Sequence, residues 1–303
     1  MYYNSLNEKL RNTFGTKVYK IALSSGLSCP NRDGKIDTRG CIFCSVKGSG
    51  DFAEPFCKDI TSQIENAKKR VEKKIKDGKY IAYFQSFTNT YGNIKYLEDI
   101  FTQAITHPDV VALSIATRPD CLGNDVIELL QRLTKIKPVW VELGLQTVKE
   151  SSIKYIRRGF DNDVYENAVK RLHNIGVEVI THIILGLPDE TAEDMLNTVR
   201  FSAECKTDGV KLQLLHILKD TDLAYDYLKG KFEALTLDEY INILCECISV
   251  LPREITIHRL TGDGDKKILL APLWSADKKM VLNSINKALN DRNIVQGSKG
   301  RKQ

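Results

Sequence analysis

The stretch SCPNRDGKIDTRGCIFC, residues 28–44, places three of the chain's eight cysteines in one polar loop. They are Cys29, Cys41 and Cys44, and only two residues separate the last two. Two intervening residues let both sulfur atoms turn toward one centre, so this pair predicts a metal or metal-cluster site. The surrounding residues, 25–58, show little periodicity, and a loop of that length is uncommon unless it is functional or held by a bound group.

On both sides of this loop, short apolar runs rich in β-branched residues alternate with longer amphipathic segments. That alternation predicts parallel βαβ units whose strands are buried on both faces. Six or seven units in one sheet form a doubly wound fold or a barrel, and both place functional side chains at the carboxyl ends of strands. The strand candidates are 18–24, 80–86, 110–116, 139–145, 177–186, 209–217 and 254–260; the helix candidates are 59–77, 93–106, 124–136, 161–175, 191–205 and 236–250.

Composition restricts the class of protein. The first 15 residues lack the apolar run of a signal peptide, and no segment approaches the roughly 20 apolar residues that span a bilayer. We therefore expect a cytoplasmic protein with no membrane partner, in which eight cysteines do not form a disulfide framework. The formal net charge of +5 permits an anionic partner without requiring one. The lysine-rich segment 66–79 is either a solvated helix face or a contact for a polyanion.

The ligand count of the loop leaves two kinds of metal site open. A structural zinc ion usually takes four protein ligands, and no histidine lies between residues 1 and 106, so Cys57 would have to be the fourth. A four-iron cluster normally takes four thiolates. Three thiolates would leave one iron open, which is useful if a small molecule must bind there.

These residues together resemble a known family. A three-cysteine loop after the first strand of a parallel βα array, with Phe43 just before the last cysteine, resembles the radical S-adenosylmethionine (radical SAM) superfamily. The wide cysteine spacing is similar to the branch of the Elongator radical SAM subunit and oxygen-independent coproporphyrinogen oxidase, and most similar to the YhcC/YtqA-like bacterial proteins. The resemblance covers about residues 15–290. It implies an α/β fold, a partial (β/α)6 TIM-like barrel with a C-terminal extension.

The resemblance also implies domains and cofactors. A radical SAM core would occupy residues 1–235, with the cluster loop at 25–58. An extension of helices and a strand, 236–303, would pack on the core and end in a basic tail, 297–303. The three cysteines would bind a [4Fe–4S] cluster whose open iron binds S-adenosylmethionine (SAM). One electron, from a donor such as flavodoxin or ferredoxin, would cleave SAM to a 5′-deoxyadenosyl radical.

The ends of the later strands match SAM-binding elements of that branch. Gln146 falls where related enzymes contact the SAM ribose, and Arg158 falls where they hold the SAM carboxylate. His182 takes the place of an acidic SAM contact in the porphyrinogen enzyme. The usual glycine-rich turn after the second strand is replaced by Gln85, Ser86 and Phe87, a departure from the family pattern.

Polar side chains near the last two strand candidates are the substrate or catalytic candidates. His216 and Lys219 come at the carboxyl end of the sixth strand candidate. His258, Arg259 and Asp263 come at the end of the seventh. Plain structural roles compete with each of these assignments. By analogy with the Elongator relative, the expected reaction modifies a tRNA wobble uridine side chain, with tRNA as partner. A radical SAM enzyme acting on a small metabolite and a non-catalytic zinc-binding module are the alternatives.

Overall fold

The computed structural model describes residues 2–48, 50–72, 78–262 and 264–299. The strands are β1 (Val18–Leu23), β2 (Lys79–Phe84), β3 (Val110–Thr117), β4 (Val139–Gln146), β5 (Glu178–Leu185), β6 (Gly209–Leu214), β7 (Ile217–Leu218), β8 (Thr256–Arg259) and β9 (Leu269–Ala271). The α-helices are α1 (Leu6–Phe14), α2 (Ile60–Val71), α3 (Ile94–Thr106), α4 (Asn124–Thr134), α5 (Glu150–Tyr155), α6 (Asn162–His173), α7 (Ala192–Glu204), α8 (Asp222–Leu228), α9 (Leu237–Val250) and α10 (Lys278–Asp291).

The strand order decides between the two architectures that the sequence left open. The main sheet is parallel throughout and runs β1-β2-β3-β4-β5-β6-β8, so each new strand is added on the same side. A doubly wound sheet reverses its order at a switch point, and none occurs here. Right-handed crossovers then place the helices on one face, and the sheet curls into a partial barrel. The predicted fold class is confirmed.

The C-terminal part of the chain continues the barrel. Strand β8 pairs with β6, with Gly209 opposite Thr256, and so adds a seventh strand to the six of the expected core. Side chains of β5 and α7 share one hydrophobic cluster with those of α9 and α10. The proposed boundary at residue 235 stays a prediction, because one core spans both sides of it.

Three local features differ from the sequence-based expectation. The expected strand 209–217 ends at Leu214, after which β7 leaves the barrel to pair antiparallel with β9. Helices α1, α5, α8 and α10 fall outside the helix candidates. For α5 and α8 the reason is length, because 6 and 7 residues give less than two turns of periodicity. The helix candidate 59–77 ends at Val71, and residues 73–77 lie outside the described residues.

Helix starts agree with the local sequence. Thr191 accepts a hydrogen bond from the backbone N–H of Asp194, whose carboxylate accepts one from the N–H of Thr191 in return. Thr236 and Glu239 form the same capping box at α9. Each box satisfies two N–H groups that a helix leaves without partners, and this fixes where the helix begins. Within the described ranges, no helix is long and apolar enough to cross a membrane.

Candidate functional site

The cysteine loop is held against the carboxyl ends of the strands by polar side chains. Asn31, which is fully buried, donates from Nδ2 to the carbonyl oxygen of Arg157 at 2.7 Å and lies 3.4 Å from Cys41 Sγ. Arg32 donates to the carbonyl oxygens of Cys44 and Ser45 at 3.0 and 2.7 Å. The loop therefore has a defined path without regular secondary structure, because side chains satisfy its backbone groups.

All three loop cysteines line one pocket that opens into the barrel. Cys57 is exposed and is not among the lining residues. A tetrahedral zinc ion with 2.3 Å bonds would hold sulfur atoms about 3.8 Å apart. Among the described residues, no group of three ligand atoms within 4.8 Å of one another includes a cysteine. The donor set thus suits a cluster wider than one ion, with three protein thiolates.

The chemistry of Cys41 also fits a site that carries positive charge. Burial and, to a lesser extent, the nearby sulfur atoms of Cys44 and Cys29 raise the pKa of this thiol to about 12 in total. The positive charge of Arg118 and the hydrogen bond from Asn31 oppose the shift. Metal ligation requires thiolates, and a bound cationic centre supplies the charge that stabilises them.

The turn after β2 meets the cysteine loop. Gln85 lines the pocket, whereas Ser86 is buried beneath the loop, where its Oγ would be 2.0 Å from a Cβ placed on Gly50. Phe87 has a φ of 58°, and its N–H donates to the carbonyl oxygen of Gly48 at 2.9 Å. Glycine adopts this left-handed conformation most readily, and here a phenylalanine adopts it.

Gln146, the last residue of β4, and Arg158, which follows α5, both line the pocket. Gln146 has a φ of 61°, next to a register shift between β4 and β5 that redirects its side chain. Arg158 is 1% exposed and donates to the carbonyl oxygens of Phe160, Leu145 and Thr147 at 2.7–3.0 Å. Its remaining N–H bonds Asn162 Oδ1 at 2.9 Å. A contact with the SAM carboxylate would have to break one of these bonds, so that role stays a prediction.

Arg158→Lys is expected to destabilise the fold by about 3 kcal/mol, because lysine's three donors cannot replace the five N–H bonds that the guanidinium group makes to buried acceptors. Denaturant unfolding of the variant checks this. The matched control is Arg132→Lys, at an arginine half exposed and paired with Glu98, where a change under about 0.5 kcal/mol is expected. Equal stability of the Arg158 variant and wild type would contradict a structural role for these hydrogen bonds.

A buried carboxylate, Glu142, stands at the centre of the barrel and was not predicted from the sequence. Its side chain is inaccessible to solvent and accepts from His182 Nε2 at 2.6 Å, from Lys20 Nζ at 2.5 Å and from Lys211 Nζ. Burial and the charge of Lys211 outweigh the pull of Glu142 and lower the pKa of His182 to about 4, so the ring is neutral near pH 7. His182 lines the same pocket as the cysteines.

The candidate substrate residues do not all lie at the pocket. Arg259 lines the pocket with the cysteines, whereas His216, Lys219 and His258 do not. His216 packs against Gly262 and Gly264, where an added Cβ would come within 2.6 and 3.1 Å of its ring. His258 lines a different cavity, beside α1, with its ring 5.6 Å from that of Trp140. Asp263 lies outside the described residues.

Lys219 contributes its backbone rather than a pocket side chain: its N–H donates to the Ile268 carbonyl at 2.8 Å. The pocket instead contains Arg118, which sequence reasoning missed and which pairs bidentately with Asp120 at 2.9 and 2.7 Å. Arg118 could have been predicted as a site residue, because it directly follows β3. Lys20 and Lys211 could have been singled out because each is a lone charged residue inside an otherwise apolar strand.

Two family models match the chain. The model described as "Radical SAM superfamily" matches residues 38–202, and the one described as "Radical_SAM C-terminal domain" matches residues 207–291. Together they cover the strands and helices from α2 to α10, and the matched residues begin after β1 and Cys29.

Curated relatives match over nearly the full length. YtqA of Bacillus subtilis (strain 168) is 45% identical, covering 97% of this chain and 92% of that protein. YhcC of Escherichia coli (strain K12) is 33% identical, covering 98% and 96%. The tRNA uridine(34) acetyltransferase of Methanocaldococcus jannaschii is 27% identical over half of this chain and 28% of its own length. Among solved structures, Methanocaldococcus infernus Elp3 aligns with a TM-score of 0.70 at 19% identity, over 92% of this chain and 64% of that one.

Proposed function

Because the chain belongs to the radical SAM superfamily, we propose that it modifies the side chain of a tRNA wobble uridine, with Cys29, Cys41 and Cys44 as the cluster ligands. The enzyme class and its cofactors, a [4Fe–4S] cluster and SAM, follow from the family. When bound, these cofactors supply a 5′-deoxyadenosyl radical. Radical SAM enzymes need an electron donor, and a flavodoxin or ferredoxin would serve.

The chain's own residues would bind and orient the cofactors, and they would exclude water. The three thiols enter the pocket from one wall, and Gln146 and His182 lie on the strands that form the rest. Neutral His182 donates its one N–H, on Nε2, to Glu142, so its Nδ1 can accept one hydrogen bond from the sugar or base of SAM without adding charge. Behind the polar residues that line the pocket, an apolar core fills the space between the sheet and its helices, and it would keep water from reaching reactive groups through the barrel wall.

The substrate proposal rests on one observation, the match over half of this chain to a relative named for tRNA uridine(34). The lysine-rich helix lends it little support. Lys68 of α2 is paired with Glu65 and with Asp109, beside the amino end of β3, whereas the cysteine loop lies at the carboxyl ends. Lys266 and Lys267 are better placed for phosphate contacts, because they are exposed and share a cavity with Phe52 of the cysteine loop.

We expect tRNA nucleosides from a deletion strain to lack a wobble-uridine derivative that the parent strain contains. Liquid chromatography with mass spectrometry of digested tRNA measures this, and a plasmid copy should restore the nucleoside. An unchanged profile would contradict the tRNA proposal and favour a small-metabolite substrate.

The double variant Lys266→Gln/Lys267→Gln is expected to weaken tRNA binding and to lower the slope of log affinity against log salt, by about 1 for each phosphate that a lysine no longer neutralises. Filter binding across a salt series gives both quantities. Lys170→Gln, at an exposed lysine of α6, is the matched control and should leave the slope unchanged. An unchanged slope in the double variant would place the phosphate-binding residues elsewhere.

A further inference from the structure

The cluster around Glu142 forms the floor of the pocket, on the opposite side from the cysteines. Glu142 and Lys211 lie in the middle of β4 and β6, whereas the cysteine loop covers the carboxyl ends of the strands. Tyr83, whose hydroxyl lies 3.3 Å from Lys211 Nζ, and Arg259, which is opposite Lys211 in the sheet, line the pocket at the same end. Gln213 lines it two residues closer to the carboxyl end of β6. A group that enters the pocket beyond the cofactors would meet this floor.

The carboxylate of Glu142 has no capacity left for a ligand. Oε1 accepts from Lys20 and from Ser114 Oγ at 2.8 Å, and Oε2 accepts from His182 and Lys211. Two oxygen atoms offer about four acceptor positions, and four donors occupy them. The function of Glu142 is therefore to hold its neighbours, and any ligand must bind to those neighbours.

Lys211 does have capacity left. Its ammonium group donates to Glu142 and, at 3.3 Å, to the hydroxyl oxygen of Tyr83. An ammonium group has three N–H donors, and the third has no acceptor within the ranges that the structure describes. The residue is 4% exposed, so bulk water does not readily satisfy that donor. A buried donor without a partner is costly unless something binds it.

The buried charges at the floor do not balance. When Lys211 is protonated, Lys20 and Lys211 contribute two positive charges against the single negative charge of Glu142, while His182 is neutral near pH 7. Burial and, to a lesser extent, the charges of Lys20 and Arg259 outweigh the attraction of Glu142 and together lower the pKa of Lys211 to about 7. An anion beside Lys211 would remove the surplus charge and accept the third hydrogen bond.

We propose that the pocket floor, with Lys211 as its principal contact, binds an anionic group of the substrate, a carboxylate or a phosphate. Two neutral side chains that line the pocket, Tyr83 at the floor and Gln213 on the wall, can complete the hydrogen bonding of such a group. The proposal rests on the proposed function only in taking this end of the pocket as the substrate side. It makes Lys211 a specificity-determining residue, because a neutral group there would leave the surplus charge in place.

The test uses anaerobically reconstituted full-length protein with saturating SAM, so that small anions cannot bind the cofactor part of the pocket. Sodium acetate and inorganic phosphate are titrated in separate calorimetric experiments at constant ionic strength, with chloride as the reference anion. We expect one of the two anions to bind, and Lys211→Met to weaken that binding about tenfold or more. Binding of acetate identifies a carboxylate site, and binding of phosphate identifies a phosphate site.

Proton uptake supplies a readout that a purely structural lysine would not change. An anion beside Lys211 raises the pKa of that ammonium group, so binding near pH 7 should take up protons. Titrations in two buffers with different ionisation heats measure the uptake. Lys20, Tyr83, Glu142, His182 and Arg259 also face this ammonium group, but only the loss of uptake in Lys211→Met assigns it to Lys211.

Lys170→Met, which removes an exposed lysine from α6, is the matched control and should bind the anion as wild type does. If Lys211→Met does not fold, the double variant Lys211→Met/Glu142→Gln removes opposite charges together and carries the same test. Failure of both anions to bind, or equal binding by wild type and the Lys211 variant, overturns the proposal. Anion binding with an unchanged nucleoside profile would support this site while contradicting the tRNA substrate.

Discussion

Replacing Cys41 by alanine is expected to abolish the iron–sulfur cluster and, with it, all SAM cleavage. The pocket offers three thiols, and a four-iron cluster held by only two of them is not retained. Iron and sulfide content after anaerobic reconstitution should fall to the level of protein that was never reconstituted. Formation of 5′-deoxyadenosine after reduction with SAM present should fall to background.

The matched control is Cys57→Ala, because Cys57 lies near the loop in sequence but is exposed and outside the pocket. It should keep the iron content and the SAM cleavage of wild type. Equal loss of iron in both variants would mean four protein ligands and a closed site. Zinc in place of iron in the purified protein would contradict the radical SAM assignment of the loop itself.

Glu142→Gln is expected to destabilise the fold by about 3–5 kcal/mol, because it leaves the buried ammonium groups of Lys20 and Lys211 without a counter-ion. For a chain of this size the thermal midpoint should fall by roughly 10 °C. Differential scanning calorimetry measures the shift. The matched control is Glu166→Gln, which breaks an exposed ion pair with Lys170 and should cost under about 0.5 kcal/mol.

The pH dependence of this difference follows from the pKa of Glu142. Burial alone would raise it, but Lys20, Lys211 and the hydrogen bond from His182 outweigh burial and hold it well below its usual value. A carboxyl group with a depressed folded-state pKa stabilises the fold above its unfolded pKa and loses that contribution as pH falls through the folded value. The difference in stability between wild type and Glu142→Gln should therefore persist as pH falls from 7 to 5 and close only in strong acid. A stability difference that disappears between pH 7 and 5 would contradict the ion pairs of Glu142 with Lys20 and Lys211.

Much of the site could be predicted from the sequence because its residues follow strands directly. Cys29 follows β1, Gln85 follows β2, and Gln146 ends β4, so the carboxyl-end rule brings them to one rim. Arg259 follows the same logic on β8. His258, its immediate neighbour, does not share that position, because successive residues of a strand point to opposite sides and β8 is too short to show a period.

The sequence by itself determined the parallel βα array, the three-thiol loop and the order of the elements around it, since hydrophobic periodicity and cysteine spacing are local properties. The strand order of the folded chain then decided that this array is a partial barrel. Only the tertiary structure decided that Lys20, Glu142, His182 and Lys211 meet, because their contacts depend on the register of four strands far apart in the chain. It also decided that Cys57 stays outside the pocket. A loop without periodicity carries no local signal of its path, and its side-chain contacts with the barrel alone fix it.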